Sequence, residues 1–147
     1  VSVIWGVIVK TKNWLYDWGI FRAQKIDRLV ISIGNVVAGG TGKTPFAQLL
    51  ATTFSHRRVA ILSRGVALQG SLADEPKLLA RRCPSATVHL GKDRRFTAKK
   101  AAQDGAEMIL LDDGLQHRKL FRDIEIVLAS AEKPFHNGRY LPCGYLR

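Results

Sequence analysis

Lys43 and Thr44, set behind a run of glycines, are the residues whose types and spacing most directly suggest chemistry. Residues 28–46 read RLVISIGNVVAGGTGKTPF: a short apolar run, a glycine-dense turn, then Gly42-Lys43-Thr44 at the opening of a helix. This is the layout of a phosphate-binding loop. The first backbone N–H groups of a helix have no partner inside it, and a glycine-rich turn can aim its own N–H groups at the same anion. Gly39, Gly40 and Gly42 give the backbone that freedom, and Thr41 completes the nucleotide-binding stretch 39–44. Lys43 would reach the β- and γ-phosphates, and the Thr44 hydroxyl would hold Mg²⁺. The loop is a variant, because the usual pattern has a glycine where Val37 stands. A chance Gly-Lys-Thr in an ordinary turn is the competing reading, and the strand-to-helix context argues against it.

A second cluster lies at Asp112-Asp113, directly after the apolar run EMILL at 107–111. An aspartate closing a buried strand is how the metal-side motif of phosphate-loop proteins is built, so either carboxylate would bind Mg²⁺ opposite Thr44. Two adjacent carboxylates also repel unless a cation sits between them. Gln116 and His117 follow within one turn and could order a metal ligand or an attacking group, although a surface histidine fits His117 as well. Asp93 follows a strand beside Arg94 and Arg95, which would keep it ionised and able to accept a proton. A helix N-cap suits the same position. Arg64 could clamp a phosphate or be an ordinary solvated residue.

These residues need elements to position them. The apolar runs predict strands at 29–33, 58–63, 86–90, 107–111 and 124–129, with helices at 45–54, 74–82 and 95–104. Alternation at this spacing implies an α/β fold, a mostly parallel sheet with helices on both faces. Ligands of such sheets bind at the C-terminal ends of the strands. Residues 39–44, 63–64, 93–94 and 112–113 all fall there. The stretch from Glu132 onward is loop-like.

Residues 1–27 form a separate unit, with 28–147 as the nucleotide-binding domain. Ile4, Ile8, Leu15 and Trp18 recur at helical spacing, with Thr11 in the gap. Five aromatic residues (Trp5, Trp14, Tyr16, Trp18, Phe21) and the basic Lys10, Lys12, Arg22, Lys25 and Arg28 make an amphipathic helix of the kind that lies in a membrane interface. A helix packing its apolar face on the domain has the same pattern.

The 147 residues suffice for one domain with a core, and the 46% hydrophobic and 24% charged shares are those of a globular protein. The net charge of +11, spread along the chain, suits an anionic partner: nucleic acid, an anionic lipid surface or a phosphorylated substrate. Nucleic acid is disfavoured, because the aromatics gather in one helix rather than across a sheet face. Cys83 and Cys143 lie far apart and outside metal-ligand spacing, as free thiols would. No cleavable signal pattern and no apolar run of transmembrane length are present, and the start at Val1 points to a processed or excerpted sequence.

The motifs together are more specific than any one of them. Residues 31–45 (ISIGNVVAGGTGKTP), Ser63-Arg64-Gly65, Asp74-Glu75-Pro76, Gly91-Lys92-Asp93-Arg94, 112–117 (DDGLQH), Arg122-Asp123-Ile124-Glu125 and 137–147 (NGRYLPCGYLR) occur in one order. In this the chain resembles tetraacyldisaccharide 4′-kinase, the lipid A 4′-kinase of Gram-negative bacteria, over essentially its whole length. The variant phosphate loop is the usual form in that family. The resemblance implies a P-loop NTPase-like fold and transfer of the ATP γ-phosphate to the 4′-hydroxyl of a lipid A disaccharide precursor. It also implies peripheral attachment to the cytoplasmic face of the inner membrane, whose anionic surface the N-terminal helix would meet. By position Lys43 and Thr44 match the nucleotide and Mg²⁺ residues, Asp93 the catalytic carboxylate, and Asp112, Asp113 and Gln116 the metal-side motif.

Two departures bear on activity. Family members extend into a C-terminal domain that carries the histidine partner of the catalytic aspartate, and no residue here inherits that role. The segment after Ser63-Arg64-Gly65 is also short, running from Val66 to Asp74 without the family's tyrosine and longer basic stretch. A membrane-bound nucleotide switch or partitioning-type ATPase, and a non-catalytic nucleotide-binding fragment, are the alternatives.

Overall fold

The computed structural model describes residues 7, 11, 14–16, 18–37, 42–64 and 80–131. The expected helix start at Asp74, the glycines of the phosphate loop at 39–40, Cys143 and the C-terminal stretch lie outside these residues.

Among the described residues, the body is made of β1 (Leu29–Asn35), α1 (Lys43–Thr53), β2 (Val59–Ser63), β3 (Ala86–Leu90), α2 (Arg94–Gln103), β4 (Met108–Asp112) and β5 (Ile124–Leu128). They form one sheet in the order β3-β2-β4-β1-β5, and every neighbouring pair is parallel. The three central strands are buried along almost their whole length, whereas β3 and β5, at the edges, alternate toward solvent. That is why β1, β2 and β4 are unbroken apolar runs in sequence: both their faces are covered.

Alternation along the strands divides the core in two. Val30, Ala60, Leu62, Ile109 and Leu111 point to one face, where Ala98 and Ala101 of α2 close over them with Leu120 and Ile26. Ile31, Val59, Ile61, Met108 and Leu110 point to the other, under Ala51, Leu50 and Phe54 at the end of α1. The small alanines let each helix approach the sheet closely. Cys83 is a free thiol buried in the second cluster, and burial pushes its pKa up.

The helix termini follow local chemistry. α1 begins at Lys43, two residues before the expected start, because Gly42 adopts φ +78° and turns the chain directly into the helix. Pro45 falls in the first turn, where its missing N–H costs nothing. α2 ends in a Schellman motif: Ala106 N–H donates to Ala101 O at 3.0 Å and Gly105 N–H to Ala102 O at 3.1 Å, with Gly105 at φ +92°.

Helical backbone occurs at residues 7, 11 and 14–16, and Gly19 at φ +71° turns the chain out of it. Ile4 and Ile8 of the expected apolar stripe lie outside the described residues. Trp18, expected on that stripe, is 68% exposed, and Trp14, Ile20 and Phe21 are exposed with it. Beyond the turn, Gln24 pairs with Leu120 in a parallel bridge, and Ile26 packs on the core.

Candidate functional site

β1 and β4 are hydrogen-bonded neighbours in a register that sets Ile33 beside Asp112. Their C-terminal ends therefore open side by side. The chain leaving β1 leads to Gly42-Lys43-Thr44, and the chain leaving β4 is Asp113-Gly114. Lys43 bridges the two: its ammonium donates to Asn35 Oδ1 at 2.9 Å and lies 3.7 Å from Asp113 Oδ1. Asn35 is 2% exposed, and its amide N–H donates to the Val37 carbonyl, which fixes which end of the amide faces Lys43.

The turn carrying Asp113 is tightly held. Asp113 adopts φ +56°, a left-handed conformation that aspartate tolerates better than most side chains. Gly114 N–H donates to Ile33 O at 3.0 Å, which lays the turn on the end of β1. A Cβ at Gly114 would come within 2.5 Å of Ser32 Oγ and 2.8 Å of Leu111 Cβ, so only glycine fits. The Arg122 guanidinium donates to Leu115 O at 3.2 Å and pairs with Glu125 at 2.8 Å. Asp123 accepts from Val30 N–H at 2.8 Å and locks β5 to β1. The Arg-Asp-Ile-Glu motif thus braces the acidic turn.

Asp112 is buried at the end of β4, Asp113 is half-exposed, Gln116 is exposed and His117 is half-buried. Thr44 occupies the first turn of α1. That helix begins on a glycine with no side-chain cap and no acidic residue in its first turn. An uncapped, positively flanked N-terminus suits a phosphate. Thr44, Asp112 and Asp113 offer a hydroxyl and two carboxylates, the hard oxygen donors that Mg²⁺ takes alongside phosphate oxygens. Gly39, Gly40 and Thr41 lie outside the described residues.

Asp93 lies at the start of α2, just past β3. It is the N-cap of α2: Oδ1 accepts from Arg95 N–H at 3.0 Å, and the Arg95 side chain grips both oxygens at 3.0 and 2.7 Å. Arg95 holds the carboxyl down at about 2, with a smaller contribution from the charge of Lys119. A carboxylate so stabilised stays ionised throughout the neutral range. Asp93 lines a concavity of about 400 Å³ beside the edge strand, with Leu90, Lys92, Phe96 and Lys100, and none of Lys43, Thr44, Asp112 or Asp113 shares it.

Two residues of the site carried no signal as individuals. Asn35 reads in sequence as the end of a strand. Arg94 sits in a charged run that looks solvated, yet it is 2% exposed. One of its nitrogens donates to Gly91 O at 2.6 Å, while Nε and the other terminal nitrogen have no partner among the described residues. Burial lowers its pKa, Asp112 and Asp113 raise it, and Arg64 lowers it, so its charge is felt among all three. Arg64 itself is exposed just past β2.

Among known proteins, the family model described as LpxK, tetraacyldisaccharide-1-P 4′-kinase, matches residues 1–147. A tetraacyldisaccharide 4′-kinase of Syntrophus aciditrophicus is 42% identical, covering 99% of this chain and 45% of that protein. One from Chlamydia trachomatis is 37% identical, covering 98% and 45%. A crystal structure of LpxK from Aquifex aeolicus in complex with ATP superimposes with a TM-score of 0.86 at 34% identity, covering 99% of this chain and 51% of that one. The chain spans about half the length of the curated relatives it matches.

Proposed function

Because the chain belongs to the LpxK family of tetraacyldisaccharide-1-P 4′-kinases, we propose that it is the nucleotide-binding part of an ATP-dependent lipid kinase. The acceptor is the 4′-hydroxyl of a tetraacyldisaccharide 1-phosphate, the lipid A precursor. The observation that carries this reading is the bridge from Lys43 to Asn35 and Asp113, which joins the phosphate loop to the acidic turn.

Phosphoryl transfer needs positioning and charge neutralisation more than covalent chemistry. The loop 39–44 and the N-terminus of α1 bind the nucleotide phosphates. Asn35 and Asp113 hold the Lys43 ammonium in place, so little side-chain entropy remains to be lost when it meets a phosphate oxygen. Thr44, Asp112 and Asp113, with Gln116 on the same turn, would hold Mg²⁺, which supplies positive charge to the phosphate oxygens when bound. Arg94 lies within reach of the acidic pair's field, so its buried charge adds to the positive potential around the phosphates. Asp93 caps α2 while Arg95 holds it ionised, and to the same carboxylate we assign help in removing the proton of the sugar hydroxyl, since it keeps acceptor capacity beyond its three bonds from Arg95.

The exposed Trp14, Trp18, Ile20 and Phe21 beside Arg22 and Lys25 support an interfacial, peripheral position on the cytoplasmic face of the inner membrane. Among the described residues no helix is long and apolar enough to cross a membrane.

The test is mass spectrometry of a tetraacylated disaccharide 1-phosphate incubated with the chain and Mg-ATP in mixed micelles. Gain of one phosphate on the lipid would establish the kinase, with Lys43→Ala abolishing it while the fold stays intact; no product would leave the chain a nucleotide-binding half. ATP turnover that ignores the lipid would replace the kinase by a nucleotide switch.

A further inference from the structure

We infer that residues 118–121, at the far end of the acidic turn, form a second membrane-contacting element fused to the N-terminal segment. The inference rests on the interfacial reading of residues 1–27 and extends it to a loop that also carries the metal-side carboxylates.

The backbone makes the two segments one unit. Gln24 N–H donates to Lys119 O at 2.8 Å, and Phe121 N–H donates back to Gln24 O at 2.9 Å. Side chains repeat the connection: the Arg118 guanidinium lies 5.1 Å from the centre of the Tyr16 ring, and the Lys25 ammonium 5.3 Å from that of Phe121. Tyr16 in turn meets Phe21 edge-on at 5.3 Å.

Alternation then decides what faces outward. Leu120 is 1% exposed, plugged into the core beneath α2, so the extended chain must send Phe121 the other way, and it is 41% exposed. The resulting surface shows Trp18, Ile20, Phe21 and Phe121, interleaved with the basic Arg22, Lys25, Arg118 and Lys119. Exposed aromatics among cations are the chemistry of an anionic leaflet: the rings enter the headgroup layer and the cations meet lipid phosphates. Asp123 nearby spends its carboxylate on Val30 N–H. Docking through this loop places the bilayer a few residues from Gln116 and Asp113, on the side from which a lipid acceptor arrives.

Sedimentation of the chain with large unilamellar vesicles tests this, comparing phosphatidylglycerol-rich with pure phosphatidylcholine vesicles at low salt. Wild type should bind the anionic vesicles alone. Phe121→Asp should weaken that binding by about tenfold or more. Leu49→Asp makes the same charge change on α1, over the opposite face of the sheet, and should leave binding within about twofold, since it removes no lipid contact. Phe121→Leu should restore most of the affinity. If Phe121→Asp melts early, Lys119→Gln gives the second reading: Lys119 engages Gln24 through its backbone, and losing its charge should flatten the salt dependence of binding. Failure of wild type to bind anionic vesicles, or equal binding to neutral ones, overturns the interfacial reading and this inference with it. Wild-type binding with Phe121→Asp matching Leu49→Asp, or with an unchanged salt dependence in Lys119→Gln, overturns the second element alone.

Discussion

Replacing Asp93 by alanine and by asparagine separates two uses of one carboxylate. Alanine removes the cap bond to Arg95 N–H and the forked ion pair with the Arg95 side chain. Losing an aspartate cap costs about 1 kcal/mol. Asp93 and Arg95 are 50% and 41% exposed at the side chain, so solvent screens their pairing, which adds about 0–1 kcal/mol. The sum, about 1–2 kcal/mol, should lower Tm by roughly 3–6 °C in a domain of this size. Asparagine caps as well as aspartate, so Asp93→Asn should give back most of that loss. The pH dependence has a definite sign. The folded carboxyl at about 2 lies below its ordinary 3.8, so its stabilisation is present above about pH 4 and is lost as pH falls toward 2. Wild type and Asp93→Ala should therefore converge in Tm over that window. Thermal unfolding followed by circular dichroism reads the stability, and the lipid phosphorylation assay reads transfer. For the asparagine variant, wild-type Tm with transfer reduced by about a hundredfold or more is expected, and undiminished transfer would refute the proton-acceptor role and confine Asp93 to capping.

Lys43→Ala should cost little stability, under about 1 kcal/mol, because its ion pair with Asp113 is partly solvated, while nucleotide binding and transfer collapse; isothermal titration with Mg-ATP distinguishes the two effects. Gly114→Ala must displace Ser32 or Leu111 and should destabilise by about 1–3 kcal/mol in urea unfolding, weakening nucleotide binding as the acidic turn shifts; an unchanged midpoint would mean that the turn is not tightly packed on β1. For Arg94→Met the expectation is a stability within about 1 kcal/mol of wild type, since one hydrogen bond is exchanged for two buried donors no longer left unpaired. Nucleotide affinity should fall by up to about tenfold through the loss of one buried positive charge near the site; a large drop in Tm with affinity unchanged would make Arg94 a structural strut.

The strands were legible because burial on both faces writes itself as apolar runs, and β3 occupies the expected 86–90. β4 runs one residue further, to Asp112, because the pairing with Ile33 continues past the last apolar residue, and a carboxylate inside a strand leaves no periodic mark. Lys43, Thr44, Asp112 and Asp113 were readable as a set, since strand order at the sheet's edge brings polar turns together whatever lies between them. Asn35 and Arg94 were not, for opposite reasons. Asn35 is one polar residue closing an apolar run, whereas Arg94 is one basic residue among several, and burial of a single member of a charged run depends on contacts far away in sequence. Asp93 was readable both as cap and as base, and the bond from Arg95 N–H shows the cap.

The sheet order has a kinetic consequence. β1 is hydrogen-bonded to β4 and β5 and to neither β2 nor β3, so Leu29 must find Met108 before the centre of the sheet exists, and Ile31 must find Ile124 before its edge is covered. Each closure confines a long loop before any pairing rewards it, which makes such parallel topologies slow to fold. Lys43 and Asp113 can meet only after that step. Nucleotide binding is then a reporter of the last long-range pairing, and a ligand that favours the closed site acts by slowing its reopening rather than by hastening its assembly.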